Sequence, residues 1–206
     1  MVTFDEQAIL DNGAYIYAQR AEIERIADAV CEQGFDSIYF TSSGGSLAMM
    51  QPFDYMISVM LDIPVQSQIS ADLLTAGNRR IGKGTLAFMA FEIGRHPKRR
   101  SPRPRKVKEA GCTIISTLGK DGSPLGDLSD YGVVYKNGRP MELVLYLLIG
   151  KILKNKGFFD DYDRFADELV NLPAALVSVG QGRRRDGARL CAQAPERPVS
   201  DLDWLG

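Results

Sequence analysis

Five short segments rich in β-branched and aromatic residues recur along the chain, and segments with helical spacing separate most of them. The strand segments are SIYFTS (37–42), IPVQSQ (63–68), GTLAFMA (84–90), CTIIST (112–117) and YGVVY (131–135). Alternation of strands and helices favours a sheet of parallel strands, because each crossover connection places a helix on one of its faces. The sequence therefore predicts an α/β fold, a three-layer sandwich with a mainly parallel, doubly wound, five-stranded sheet.

The helical segments are recognised by apolar residues at intervals of three and four. The predicted helices are 15–33, one beginning at Ser46, a helical turn from Ser70 to Gly77, 139–155 with Pro140 near its start, and a last helix over 160–172. The apolar face of 141–153 is expected to be core or a dimer surface.

The chain of 206 residues has the length of one domain, and its 45% apolar and 25% charged composition is that of a water-soluble globular protein. Its longest apolar run, 143–150, is too short to span a bilayer. No signal peptide is recognised, and the three cysteines form neither a metal-ligand pattern nor a disulfide framework. We expect a cytoplasmic protein that holds no metal and does not bind membranes.

The best candidate site is the segment TSSGGS, Thr41 to Ser46, at the end of the first predicted strand. Ligands of open α/β sheets bind at the carboxyl ends of the strands, and two glycines allow the backbone to approach a ligand closely. The N–H groups at the start of the next helix suit a phosphate. No Walker lysine and no dinucleotide fingerprint is present. The alternative is a plain turn with Ser46 as a helix N-cap.

Three segments together resemble one family. IYFTSSGGSLAMMQPFDYMI, IPVQSQISADLL and GSPLGDLSDYGVVY are similar to the first half of double sugar-isomerase (SIS) domain proteins, over residues 1–179. The relatives are fructosamine deglycases and the isomerase half of glutamine–fructose-6-phosphate aminotransferase. The resemblance implies that Ser43, Gly44, Gly45, Ser46 and Ser70 bind a phosphosugar. It also implies a second phosphate loop after the strand at 84–90.

The stretch FEIGRHPKRRSPRPRK, 91–106, stands where that second loop is expected. It contains seven basic residues, three prolines and the chain's single histidine, His96, for which no catalytic partner is evident. With permitted codons, its beginning can be encoded so that reading one base later gives Ser-Lys-Ser-Gly-Asp-Thr, the family's second phosphate loop. We interpret 91–106 as an aberrant segment produced by a frame slip.

The tail, 180–206, has the same character. RPVSDLDWLG can be encoded so that the next frame resembles the strand and glycine loop that open a second SIS domain. The two segments hold 12 of the 25 basic residues but 5 of the 26 acidic ones, which leaves 13 basic against 21 acidic residues in the rest. We interpret 180–206 as the vestige of a second SIS domain.

Two other interpretations of the basic segment stay open: a solvated loop, and a motif that binds nucleic acid or an acidic partner. The segment has no aromatic residue in HPKRRSPRPRK on which bases could stack, so we predict no nucleic-acid binding. Pro102 and Pro104 are unfavourable inside a helix. No ordered element is therefore expected over 91–106 or 180–206, and apolar sheet surface should be left exposed.

The sequence predicts the phosphosugar-binding domain of a phosphosugar isomerase or fructosamine-6-phosphate deglycase, impaired or inactive in this chain. Its ligand would be a sugar 6-phosphate or a fructosamine 6-phosphate, with no cofactor; a homodimer is one option for its assembly, and the sequence does not fix the oligomeric state. No catalytic acid or base can be named, because the family's catalytic residues lie largely in the second half. The alternative is a non-catalytic SIS module that senses phosphosugars.

Overall fold

The computed structural model describes residues 5–91, 102–119, 122–135 and 141–193, and its centre is one sheet of five parallel strands. The strands are β1 (Ser37–Ser42), β2 (Val65–Ile69), β3 (Thr85–Phe91), β4 (Thr113–Leu118) and β5 (Tyr131–Val134). Helices cover both faces, so the predicted three-layer α/β fold is confirmed, and every strand pair is parallel.

The strand order is β2-β1-β3-β4-β5. The chain passes outward from β1 to β2 and then returns to β3 on the other side of β1. Ile38 of β1 accordingly pairs with Val65 on one side and with Leu86 on the other. The order therefore reverses between β1 and β3, and a crevice at their carboxyl ends is the expected ligand position for such a sheet.

Eight α-helices and two short 3-10 turns lie within the described residues. The helices are α1 (Glu6–Tyr17), α2 (Arg20–Gln33), α3 (Gly45–Met60), α4 (Ser70–Thr75), α5 (Pro102–Glu109), α6 (Glu142–Asn155), α7 (Tyr162–Glu168) and α8 (Leu172–Gln193). The turns are at Gly126–Leu128 and Leu169–Asn171. In the part of the chain that the structure describes, no helix is long and apolar enough to cross a membrane.

The larger core lies between the sheet and α2, α3 and α6. Phe40 and Phe88 stack on this face, with ring centroids 5.0 Å apart. α6 is apolar on nearly all sides, as a helix enclosed by its neighbours must be. Nine of its residues are buried, so 141–153 is core, and the predicted alternative of a dimer surface on this face does not hold.

The smaller core lies on the other face of the sheet. Tyr39, Met89 and Ile114 are almost completely buried there, together with Leu73 of α4 and Val107 of α5. The expectation that this face would be left exposed is therefore wrong for these side chains.

The segment predicted as one helix over 15–33 is two helices, α1 and α2. Between them, the Gln19 side-chain amide donates to the carbonyl oxygens of Tyr15 at 3.2 Å and Val134 at 2.8 Å. These bonds join the helix break to the end of β5. Apolar spacing alone could not reveal the break, because Ile16, Ile23 and Ile26 remain buried on both sides of it.

α5 corrects the prediction that prolines exclude a helix before Val107. Pro102 is the first residue of α5 and Pro104 the third. The first N–H groups of a helix have no acceptor within it, so a proline there removes no hydrogen bond. The error was to place both prolines in a helix interior. Residues 92–101, including His96, lie outside the described residues.

The last predicted helix, 160–172, is in fact α7, a short 3-10 turn and the first residue of α8. α8 continues to Gln193, across the boundary predicted at 179. The expectation of no ordered element in the tail is therefore wrong for 180–193. Residues 194–206 lie outside the described residues.

The packing of α8 on α1 makes a prediction about Gly13. A Cβ atom at Gly13 would overlap the ring of Pro173. Although Gly→Ala inside a helix normally stabilises by about 1 kcal/mol, we expect Gly13→Ala to lower the free energy of unfolding by about 1–3 kcal/mol through overpacking, as measured by urea denaturation.

Gly182→Ala is the matched control, since Gly182 also lies in a helix and a Cβ there would meet no atom within 4 Å. It should be neutral or stabilising. An equal effect of the two substitutions would show that α8 does not pack on α1 in solution.

Candidate functional site

The loop between β1 and α3 lies at the carboxyl edge of the sheet, beside the point where the strand order reverses. Gly44 is the N-cap of α3, with φ 55° and ψ −132°. Residues other than glycine rarely adopt this backbone conformation. The chain turns at Gly44 directly into the helix, and Leu47 N–H donates to the Gly44 carbonyl at 3.2 Å. Ser43, Gly44 and Gly45 are exposed, so a ligand can reach the backbone here.

Ser43 and Ser70 meet across the ends of β1 and β2. Their hydroxyl oxygens are 2.8 Å apart, within hydrogen-bond distance, and Ser70 is completely buried. Ser70 begins α4 immediately after β2, and the pairing of Ser42 with Ile69 brings the two strand ends level. The structure thus brings together the loop and the distant serine that the sequence predicted as one site.

Ser42, the last residue of β1, holds the beginning of the loop against β3. The buried Ser42 hydroxyl donates to the carbonyl of Ala90 at 2.5 Å. Ser42 therefore joins the two strands at the reversal of the strand order. Its hydrogen is committed to the sheet, so the exposed Ser43 presents a hydroxyl to this site, and the buried Ser70 contacts that hydroxyl from behind.

A set of hydrogen-bonded side chains that the sequence did not predict is centred on Gln68, two residues before Ser70. Tyr39 OH and the Asn78 side-chain amide both donate to Gln68 Oε1, at 3.0 and 2.9 Å. Burial raises the pKa of Tyr39, so its hydroxyl stays protonated and remains a donor. The sequence signal was the unusual run of polar residues in β2, where Gln66, Ser67 and Gln68 follow one another.

No charged side chain occurs in 41–48 or 65–71. The nearest carboxylate of α3, Asp54, accepts a hydrogen bond from Ser67 at 2.5 Å. The site thus offers backbone N–H groups, hydroxyls and the positive end of a helix of sixteen residues. Such donors can bind and orient an anion or a sugar hydroxyl, but they include no group that titrates near neutral pH.

The predicted site residues are thus placed as follows. The loop between β1 and α3 brings together four of them: Ser43, Gly44, Gly45 and, through its contact with Ser43, Ser70. Ser46 lies in the first turn of α3 and is half-buried. The alternative interpretation of Ser46 as the N-cap is wrong, because Gly44 occupies that position. The role of all five residues in binding remains a prediction. The expected second phosphate loop falls in 92–101, outside the described residues.

A cavity of about 610 Å³ lies at the opposite edge, at the amino ends of β1, β3 and β4. Its walls include Phe35, Asp36, Lys83 and Lys156. Lys156 sits over the Phe35 ring, 4.6 Å from the centroid. We do not assign function to this cavity, because parallel sheets bind their ligands at the carboxyl ends.

Within the described residues, no three histidine, cysteine, aspartate or glutamate side chains are grouped as metal ligands. Burial raises the pKa of the Cys112 thiol, which keeps it in the unreactive protonated form.

Models of known protein families and curated proteins give no match to this chain. Several solved structures do match its fold. A candidate phosphosugar isomerase from Bacillus subtilis matches 86% of this chain with a TM-score of 0.72 and 18% identity, and 56% of its own length is covered. This chain thus spans little more than half of that protein.

Two further structures are similar. The NanR protein of Vibrio vulnificus, complexed with ManNAc-6P, matches 83% of this chain and 66% of its own, at 16% identity and a TM-score of 0.57. The sugar isomerase domain of the RpiR transcription factor from Sphaerobacter thermophilus matches 78% of this chain and 96% of its own, at 16% identity and a TM-score of 0.54. The chain therefore has the fold of sugar isomerase (SIS) domains.

Proposed function

We propose that this chain is the phosphosugar-binding unit of a phosphosugar isomerase or fructosamine-6-phosphate deglycase, with its ligand at the loop between β1 and α3. The observation that carries the proposal is the meeting of Ser43 and Ser70 at 2.8 Å beside the glycine turn. Neutral hydroxyl and N–H donors around an exposed loop suit a phosphate or a sugar hydroxyl. Similarity of fold to the candidate phosphosugar isomerase and to NanR with ManNAc-6P supports the same ligand class.

The binding we propose is weak. A phosphate dianion needs several convergent donors to compensate for lost hydration, and the loops 41–48 and 65–71 contain no lysine or arginine. Under the frame-slip hypothesis, the second phosphate loop is also missing. The binding unit would then be residues 1–179, and 180–206 would derive from a second domain.

We propose further that this chain alone has no isomerase or deglycase activity. Proton transfer between adjacent sugar carbons needs a positioned general base, commonly a carboxylate. Among the described residues, those that meet at this loop are serines and glycines, and the exposed Asp72 in the first turn of α4 is the carboxylate next to Ser70 along the chain. Asp54, the carboxylate carried by α3, is hydrogen-bonded to Ser67.

The alternative function is a non-catalytic module that senses a phosphosugar. The similarity to the sugar isomerase domain of a transcription factor favours it. Binding without turnover is common to both candidates. Transfer of a reacting proton to solvent would therefore separate them.

Titration with fructose 6-phosphate, followed by the backbone amide signals, tests the binding site. We expect millimolar binding, with shifts concentrated at residues 43–46, and a loss of these shifts in Ser70→Ala. Ser129→Ala is the control, because it removes a half-buried serine hydroxyl that donates to the Leu125 carbonyl and makes no contact with the loop. No shift, or shifts confined to the cavity around Lys83 and Lys156, would contradict the assignment.

Incubation with glucosamine 6-phosphate or a fructosamine 6-phosphate tests turnover. We expect product formation at the background rate, and no exchange of substrate protons with deuterated solvent. A full-length SIS isomerase serves as the positive control. Clear turnover would place a catalytic base within this chain and refute the impairment.

The two glycines of the loop provide a matched pair. Gly44→Ala should lower the free energy of unfolding by about 1–2 kcal/mol, since a side chain is strained in its backbone conformation. Gly45→Ala should leave stability unchanged, because its Cβ would meet no atom within 4 Å, yet it should weaken fructose 6-phosphate binding by filling the space above the loop. Thermal unfolding and the same titration measure both. Equal stability of the two variants would disprove the loop geometry.

A further inference from the structure

One side of the molecule carries positive charges that the fold does not neutralise. Among the described residues, the basic side chains with a carboxylate partner are Arg20, Arg25, Lys108, Lys151, Lys154 and Arg164. Four other basic side chains are exposed and form no ion pair within the described part of the chain: Arg79, Arg80, Lys83 and Arg105. We call these four residues the basic face.

The basic face is one continuous surface, although its residues come from two elements. Three of them lie in the loop between α4 and β3, and Arg105 lies in α5. A Cβ atom at Gly82 would lie 3.6 Å from the Ala110 carbonyl oxygen, and one at Gly111 would lie 3.5 Å from the Lys83 nitrogen. The loop therefore runs along the carboxyl end of α5, where Arg105 stands five residues, or about 7–8 Å, before Ala110.

Hydrogen bonds fix the backbone of this loop at both ends. The Asn78 side chain donates to Gln68 Oε1 and accepts from the Arg80 N–H, both at 2.9 Å. At the other end, the Gly82 N–H donates to Thr85 Oγ1 at 3.0 Å. The loop cations thus stand on a defined backbone. A partner that binds them would have to order side chains only, which keeps the entropy cost of binding low.

We propose that the basic face binds an acidic polypeptide segment of a partner protein. Guanidinium groups form paired hydrogen bonds with carboxylates, and the four cations outnumber the carboxylates that α4 and α5 themselves expose, Asp72 and Glu109. Three of the four cations precede residue 91. The proposal therefore depends neither on the origin of the segment 91–106 nor on the proposed sugar ligand.

The number of available cations favours a polypeptide over a nucleic acid. Lys106 of α5 donates to the Leu74 carbonyl at 2.9 Å, and Lys108 is paired with Asp130, so neither side chain is available. Binding to duplex DNA commonly uses about six to ten phosphate contacts. A short acidic segment needs only a few cations. No aromatic residue occurs in 76–84 or 102–111 on which an unpaired base could stack.

Fluorescence polarisation with a labelled peptide of about ten glutamates tests the proposal on the full chain. We expect binding at low ionic strength that weakens as salt is added, because exposed charges are screened. Arg79→Glu with Arg80→Glu should raise the dissociation constant at least about tenfold. The neutral variant, Arg79→Gln with Arg80→Gln, should show a smaller loss in the same direction, and thermal unfolding checks that both variants are folded.

Arg25→Glu with Arg164→Glu is the matched control, because it makes the same change in net charge at exposed arginines of α2 and α7, on the other side of the sheet. It should bind the peptide within about twofold of the wild type. A wild-type chain that does not bind the peptide would overturn the proposal. An equal loss in the two charge-reversed variants would overturn it too, since net charge alone would then explain binding. Tighter binding to duplex DNA than to the peptide would assign the face to nucleic acid instead.

Discussion

The burial of α6 is the constraint on which the rest of the fold depends. Residues from Leu143 to Leu153 are buried on almost every side of that helix, so neighbours must surround it. α2 packs along it more extensively than any other helix, and α1, α3 and α7 complete the enclosure. The Tyr162 hydroxyl of α7 links two of these helices, because it lies 3.0 Å from the Glu24 carboxylate of α2 and 3.1 Å from the Leu147 carbonyl of α6. α3 packs on α6 as well as on β1 and β2, so the enclosure of α6 helps to hold α3 and the loop that begins it.

The candidate site follows from that arrangement. Parallel strands bring all their carboxyl ends to one edge, and the strand order reverses between β1 and β3, the position at which such sheets bind ligands. The bond from Ser42 to the Ala90 carbonyl holds the two strand ends together, and the contact between Ser43 and Ser70 joins the third. Ser43, Gly44, Gly45 and Ser70, the described residues that meet there, are uncharged. They can hold a ligand by hydrogen bonds, but the chemistry of an isomerase would need a proton acceptor that these residues lack.

Much of this could be predicted from the sequence, for physical reasons. Buried parallel strands leave short apolar runs, by which β1, β3 and β4 were recognised; β2 and β5 are less buried but were predicted too, and no strand end is wrong by more than two residues. The site loop was recognised because glycine and serine follow a strand and precede a helix. The pairing of Ser43 with Ser70 was anticipated only through the family resemblance, since 27 residues separate them. The network of Tyr39, Gln68 and Asn78 was not, because hydrogen bonds between side chains leave no periodic signal.

The errors at the prolines have one cause, which is that the effect of a residue depends on its place in an element. Pro102 and Pro104 were taken as helix breakers, yet they stand in the first turn of α5, where a missing N–H costs no hydrogen bond. Pro52 shows the opposite case. It lies eight residues into α3 and removes the hydrogen bond to the Ala48 carbonyl, but α3 continues through it. The packing of Met50, Phe53 and Ile57 into the core offsets that loss, because a helix in a protein is stabilised chiefly by its buried face. The same helix carries the candidate site at its beginning, core on its inner side and the exposed Tyr55 and Val59 on its outer side. Sequence patterns alone could not separate the two apolar sides, since both repeat at intervals of three and four residues.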